Sequence, residues 1–107
     1  MALTTKFPRS AEQFACLPFT DYCETLSLAA GVAESVTVPA GATVAVFSAD
    51  CNIVVKNDAT AVVIADTTDG TGGVLNPSAR IVKGVTILSI ISPTGGNVSV
   101  EFFMAPS

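Results

Sequence analysis

The chain has 107 residues, half of them hydrophobic and only 13% charged, with a mean hydropathy of +0.60. That excludes intrinsic disorder, and it falls well below the roughly one quarter of charged residues found in an ordinary solvated domain. Histidine and tryptophan are both absent, which removes imidazole acids and bases, Ser/His/Asp and Cys/His nucleophile pairs and imidazole metal ligands. These exclusions favour a structural or binding role over an enzymatic one. No catalytic residue and no cofactor is assigned.

Nine acidic residues outweigh five basic ones, for a net charge of −4. The cations Lys6, Arg9, Lys56, Arg80 and Lys83 are scattered. Displacing counterions from phosphates needs clustered cations, so direct nucleic-acid binding is not expected, nor is binding to an anionic membrane. The longest uncharged stretch, residues 84–100, is shorter than the roughly 20 apolar residues that span a bilayer, and Pro93, Gly95 and Gly96 interrupt it. It reads as two strands and a turn.

In chain order, residues 1–23 have no clean period and are expected to form an N-terminal extension or arm. Ser10 and Gln13 have capping-box spacing, which predicts a short helix from Ser10 to Cys16 ended by Pro18. The aromatics Phe7, Phe14, Phe19 and Tyr22 either pack back onto the protein's own sheet or dock on a neighbour. Residues 24–107 are expected to form one domain of short strands. These are Glu24–Ala29, Ser35–Val38, Ala42–Ser48, Asn52–Lys56, Thr60–Ala65, Ala79–Lys83, Val85–Ile91 and Asn97–Phe103. The breaks fall at Gly31, at Pro39–Gly41, at Asp50, at Asn57–Asp58, in the glycine-rich loop Asp66–Gly73 with Asn76-Pro77, at Gly84 and at Ser92–Gly96. Thr60–Ala65 is so apolar and β-branched that it predicts a strand buried on both faces. About eight closely spaced strands with no helix after Cys23 predict an all-β fold, an antiparallel sandwich or jelly roll.

The candidate sites are few. Asp66 and Asp69 are weak calcium ligands in a loop that lacks the further oxygens calcium requires, and no metal is assigned. That loop is no phosphate cradle either, because Val74 and Leu75 follow its glycines in place of a lysine and a hydroxyl residue. Asp21, Glu24 and Glu34 are read as surface acids rather than a glycosidase pair. The three cysteines, Cys16, Cys23 and Cys51, cannot all pair within one chain. Residues 1–10 show no secretory h-region, so free thiols in a reducing cytoplasm are expected, acting as small buried hydrophobes. Zinc would need a fourth soft ligand that histidine cannot supply here. Phe102 and Phe103 are adjacent on a strand and point to opposite faces. One should enter the core and the other should face solvent or a partner, which makes both interface candidates alongside Phe7, Phe14, Phe19 and Tyr22.

The strings VTVPAGA (Val36–Ala42), TDGTGGVLNPSARIV (Thr68–Val82), GVTILSIISP (Gly84–Pro93) and VSVEFF (Val98–Phe103) resemble those of small virion proteins of tailed bacteriophages, some of which look like capsid decoration, or cement, proteins. The resemblance covers about two thirds of the chain and leaves out the first 23 residues. It implies a jelly-roll-like β-sandwich made in the host cytoplasm, assembled as a homotrimer and bound to the outer surface of the head. The implied partners are the major capsid protein or other virion proteins. Two alternatives remain: a tail, neck or head-fibre component, and a carbohydrate-binding β-sandwich. Surplus apolar surface on so small a chain points the same way, toward contact with other proteins.

Overall fold

A computed structural model describes residues 3–6, 19–62 and 73–105. Eight strands form: β1 (Cys23–Leu28), β2 (Glu34–Thr37), β3 (Ala42–Ala49), β4 (Val54–Asn57), β5 (Val74–Leu75), β6 (Ala79–Ile81), β7 (Ile87–Ile91) and β8 (Gly96–Met104). There is no helix among the described residues. The helix expected at Ser10–Cys16 lies outside them.

The strands make two four-stranded sheets, β1-β8-β3-β6 and β2-β7-β4-β5, in which every strand pair is antiparallel. The pairs β1·β8, β2·β7, β3·β6 and β4·β5 are the rungs of one long hairpin. The pairs β3·β8 and β4·β7 fold that hairpin back on itself. This winding is the two-Greek-key jelly roll, so the all-β sandwich expected from the strand pattern is the fold observed.

Alternation along the strands builds the core. Val98, Val100 and Phe102 of β8, Ala45 and Phe47 of β3, and Leu28 of β1 face Val36, Val55, Leu88 and Ile90 of the other sheet. Such residues occupy every second position because successive strand side chains point to opposite faces. A smaller cluster of Val54, Ala61 and Ile91, with Ala33 against it, forms apart from this core. Val54 and Ile91 have the opposite parity to Val55 and Ile90, which places them on the outward face of the second sheet. Ser89, in the same outward row as Ile91, is buried and accepts a hydrogen bond from the Ala61 N–H at 2.9 Å.

Two sequence expectations need correction here. Residues 60–62 are not a strand. Ala61 instead lies across the outward face of β7, and residues 63–65 lie outside the described residues. The missing strand is Val74–Leu75, which pairs with Val55 and Val54 in a stretch expected to be loop. Its entry depends on Gly73 (φ 125°): a Cβ there would sit 2.7 Å from the Val55 carbonyl oxygen.

Polar side chains hold the corners. Asp58 (φ 54°) accepts the Thr86 and Ile87 N–H groups at 2.9 and 3.1 Å. Asn76 (φ 45°) accepts the Ile53 N–H at 2.8 Å and returns its own N–H to the Ile53 carbonyl. Asp50 accepts the Asn97 N–H at 2.8 Å. That bond, with further support from the Asn97 side chain, lowers the Asp50 pKa against a smaller opposing effect of burial. In each case a short polar side chain supplies the acceptor that a turning backbone would otherwise lack.

Candidate functional site

Two regions at the border of the sandwich carry features that the core does not need. The first is the corner where residues 3–6 and 19–22 meet the end of β8. Strand β1 accompanies β8 only as far as Glu101. Beyond it, the Phe102 N–H donates to the Tyr22 carbonyl at 3.1 Å and the Met104 N–H donates to the Thr5 carbonyl at 2.7 Å. Lys6 and Met104 form a parallel bridge, so residues 3–6 take up the β8 ladder where β1 leaves it. Leu3 is buried in the main core cluster. The Thr20 hydroxyl donates to the Phe102 carbonyl at 2.6 Å, and the Tyr22 ring meets the Phe102 ring edge-on at 5.7 Å.

Asp21 joins the two pieces of this corner. Its carboxylate accepts the Thr4 N–H at 3.0 Å, the Thr4 hydroxyl at 2.6 Å, the Thr5 N–H at 3.2 Å and the Thr5 hydroxyl at 2.9 Å. Its own N–H donates to the Thr5 Oγ1 at 3.0 Å. The Thr4 side-chain and backbone donors hold the Asp21 carboxyl far below the usual carboxylate range. Burial opposes them and Thr5 adds to them. A carboxylate accepting several N–H and O–H bonds is stabilised in its charged form.

The second region is the side of the sandwich bordered by the short edge strands β5 and β6. Val74 and Leu75 of β5 and Ile81 of β6 are exposed, Ile81 by 77%. Arg80 pairs with the core residue Ala45, which puts it in the inward-facing row of β6, yet it is exposed. Its guanidinium donates to the neighbouring Ala79 carbonyl at 2.7 Å. Between the sheet borders lies a cavity of about 220 Å³ lined mainly by Phe47, Val55, Val82, Val85 and Leu88, with Val74, Arg80 and Ile81 beside them. Edge strands of two and three residues offer little backbone for strand addition. What this side presents is apolar side chains.

The candidates named from sequence are distributed unevenly. Phe102 and Phe103 are both 0% exposed, so neither is available as a contact residue. Phe102 is the core residue under the corner. Phe103 points away from the core, as strand parity requires, and is nonetheless buried, which corrects the expectation that one of the pair must reach solvent or a partner. Tyr22 is half-buried against the core. Phe19 is 97% exposed. Phe7, Phe14, Asp66 and Asp69 lie outside the described residues, as does Cys16. Cys23 is exposed, its Sγ 3.0 Å from the Ser99 hydroxyl, contrary to the buried-hydrophobe reading. Cys51 packs against the core, and Gly96 makes room for it, since a Cβ there would lie 2.6 Å from its Sγ.

Among the described residues no group of three or more Cys, Asp or Glu side chains is placed to hold a metal ion. Sequence reasoning missed Asp21 as a clamp, and it missed Ile81, Leu75 and Val74 as an exposed set. No protein-family model, no curated protein and no solved structure matches the chain.

Proposed function

We propose that the protein is a structural component of a virion, a decoration or cement protein that binds the outer surface of a phage head and bridges neighbouring capsid subunits as a homotrimer. The observation that carries this reading is the β5–β6 side. A jelly roll with only 13% charged residues leaves Ile81 and Val74 exposed beside an apolar cavity, with Leu75 exposed next to Val74 on the other face of β5. Clustered exposed apolar side chains mark contact surfaces more often than they mark idle ones. The resemblance of residues 36–103 to small virion proteins supplies the biological setting.

The mechanism is mechanical. Each copy adds contacts between subunits that must separate for the shell to open. A standard protein interface buries about 1,600 Å², and association and ordering costs cancel much of the hydrophobic gain from such burial. Several weak sites engaged together avoid that limit, because the second and third contacts form at high effective concentration. A cyclic trimer presents three such sides in one symmetric array. The interface residues in this reading are Ile81, Leu75, Val74 and Phe19, in place of Phe102 and Phe103.

Co-sedimentation of the purified protein with emptied heads and, separately, with isolated tails of the virus that encodes it tests the reading, with light scattering to give the oligomer. Binding to heads by a trimer supports it. Binding to tails alone would move the protein to a tail or neck position. Saturable binding to glycans without particle binding would favour the carbohydrate-binding alternative.

A further inference from the structure

Residues 3–6 and the slot they fill are two halves of one recognition unit, joined through the thirteen residues 7–19. The slot is built by residues 20–22 and 102–104. It recognises the segment in three ways: an apolar space in the core that Leu3 enters, the Met104 N–H that the Thr5 carbonyl accepts, and the Asp21 carboxylate that takes both threonine N–H groups and both hydroxyls. The last feature makes the slot selective. A generic strand could satisfy Met104, but two adjacent hydroxyls on one carboxylate require a Thr-Thr or Ser/Thr pair after an apolar residue.

None of these contacts depends on which copy of the chain supplies the segment. We propose that Leu3–Lys6 is an exchangeable strand: in an assembly of this protein, the segment of one copy fills the slot beside β8 of a second copy. Exchange of an identical element keeps every native contact, so it is a low-cost route to association. What changes is the entropy of closing the thirteen-residue connection against that of joining two chains.

Reach permits the exchange. Thirteen residues span up to about 45 Å when extended, and the molecule measures 26 and 25 Å along its short axes. The slot of a copy lying alongside is therefore accessible. In dilute solution the chain's own segment wins on effective concentration. Where copies are held together, a neighbour's segment competes on equal terms. The exchange would supply the link between copies in the assembly proposed above. It is tested on free protein, so its failure and the failure of head binding are separate results.

Two full-length chains with Cys16, Cys23 and Cys51 replaced by serine would be mixed at high concentration under mild oxidation, one carrying Thr4→Cys and the other Asp21→Cys. The Thr4 hydroxyl and the Asp21 carboxylate are 2.6 Å apart, so a single chain carrying both substitutions should close internally. The mixture should give the 4–21 heterodisulfide in several-fold excess over either homodisulfide, read by mass spectrometry. The proposal is overturned if the double variant closes but the mixture gives only homodisulfides or none, or if the double variant does not close at all. A second measurement keeps all native side chains. Isotope-filtered NMR on a concentrated mixture of labelled and unlabelled protein should show contacts from the Leu3 methyls of one copy to core methyls of the other. Leu3 contacts confined to labelled partners in the same copy would contradict exchange.

Discussion

The N-terminal corner and the β5–β6 side both lie at the border of the sandwich, and they treat it in opposite ways. At the corner, chain distant in sequence from β8 is brought back to cover it. Leu3 fills the core, Thr5 completes the ladder and Asp21 fastens the two pieces together. At the β5–β6 side, two very short strands leave Ile81, Leu75 and Val74 in water. The corner spends hydrogen bonds and a buried leucine on itself, so removing them should damage the fold. The β5–β6 side invests nothing comparable, so altering it should leave the fold intact and change what the fold can bind.

Phe102 gives the largest expected effect. It is fully buried and supports the corner through Tyr22, so Phe102→Ala should cost about 3–5 kcal/mol. Chemical denaturation reads this directly, and a loss below about 1 kcal/mol would mean the corner does not rest on this ring. Leu3→Ala comes next, at about 2 kcal/mol, the lower end for a buried leucine because the site lies near the surface. Amide exchange at Met104 should quicken in this variant, since the Thr5 carbonyl would lose its anchor. At the other side, Ile81→Lys should shift stability by no more than about 0.5 kcal/mol, as for most exposed positions. A large loss there would show that Ile81 supports the fold and would erase the contrast.

Acid gives the smallest effect and the sharpest sign. The folded Asp21 carboxyl lies far below the usual carboxylate range because Thr4 and Thr5 donate to it. A lowered folded pKa contributes stability that is fully present above the unfolded value, about 3.9 for aspartate. That stability is lost only as the pH falls toward the folded value. The Thr4 and Thr5 amide signals should therefore hold steady through pH 4, around which an ordinary aspartate titrates, and move only in much stronger acid. Movement centred near pH 4 would mean the clamp is not formed in solution. Asp21→Asn, which keeps the shape and removes the charge, should weaken corner protection wherever the wild-type carboxylate is ionised and abolish its acid response.

Much of the fold was legible in the sequence because turns and alternation are local signals. Asn57-Asp58, Pro39–Gly41, Gly84 and Ser92–Gly96 mark real connections, and β8 reads correctly from Val98, Val100 and Phe102. Thr60–Ala65 misled because β-branched residues suit any buried, extended segment. Ala61 is buried, yet its N–H goes to a serine side chain instead of a ladder. Strand β5 was hidden because two residues carry no period. Phe103 shows the limit of alternation, which gives the direction of a side chain but not what lies above it. Asp21 was invisible for a different reason. Its partners are 16 and 17 residues away, beyond any local motif, and only the end of β8 brings them together. The exposed set on β5 and β6 comes from two strands that the sequence does not show to be neighbouring edges.

The most direct test of the account compares wild-type protein with the Leu75→Lys/Ile81→Lys double variant in a binding titration against emptied heads, with denaturation curves measured in parallel. The account predicts equal stability, saturable binding of the wild type and loss of binding in the variant. Undiminished binding by a folded double variant would contradict it.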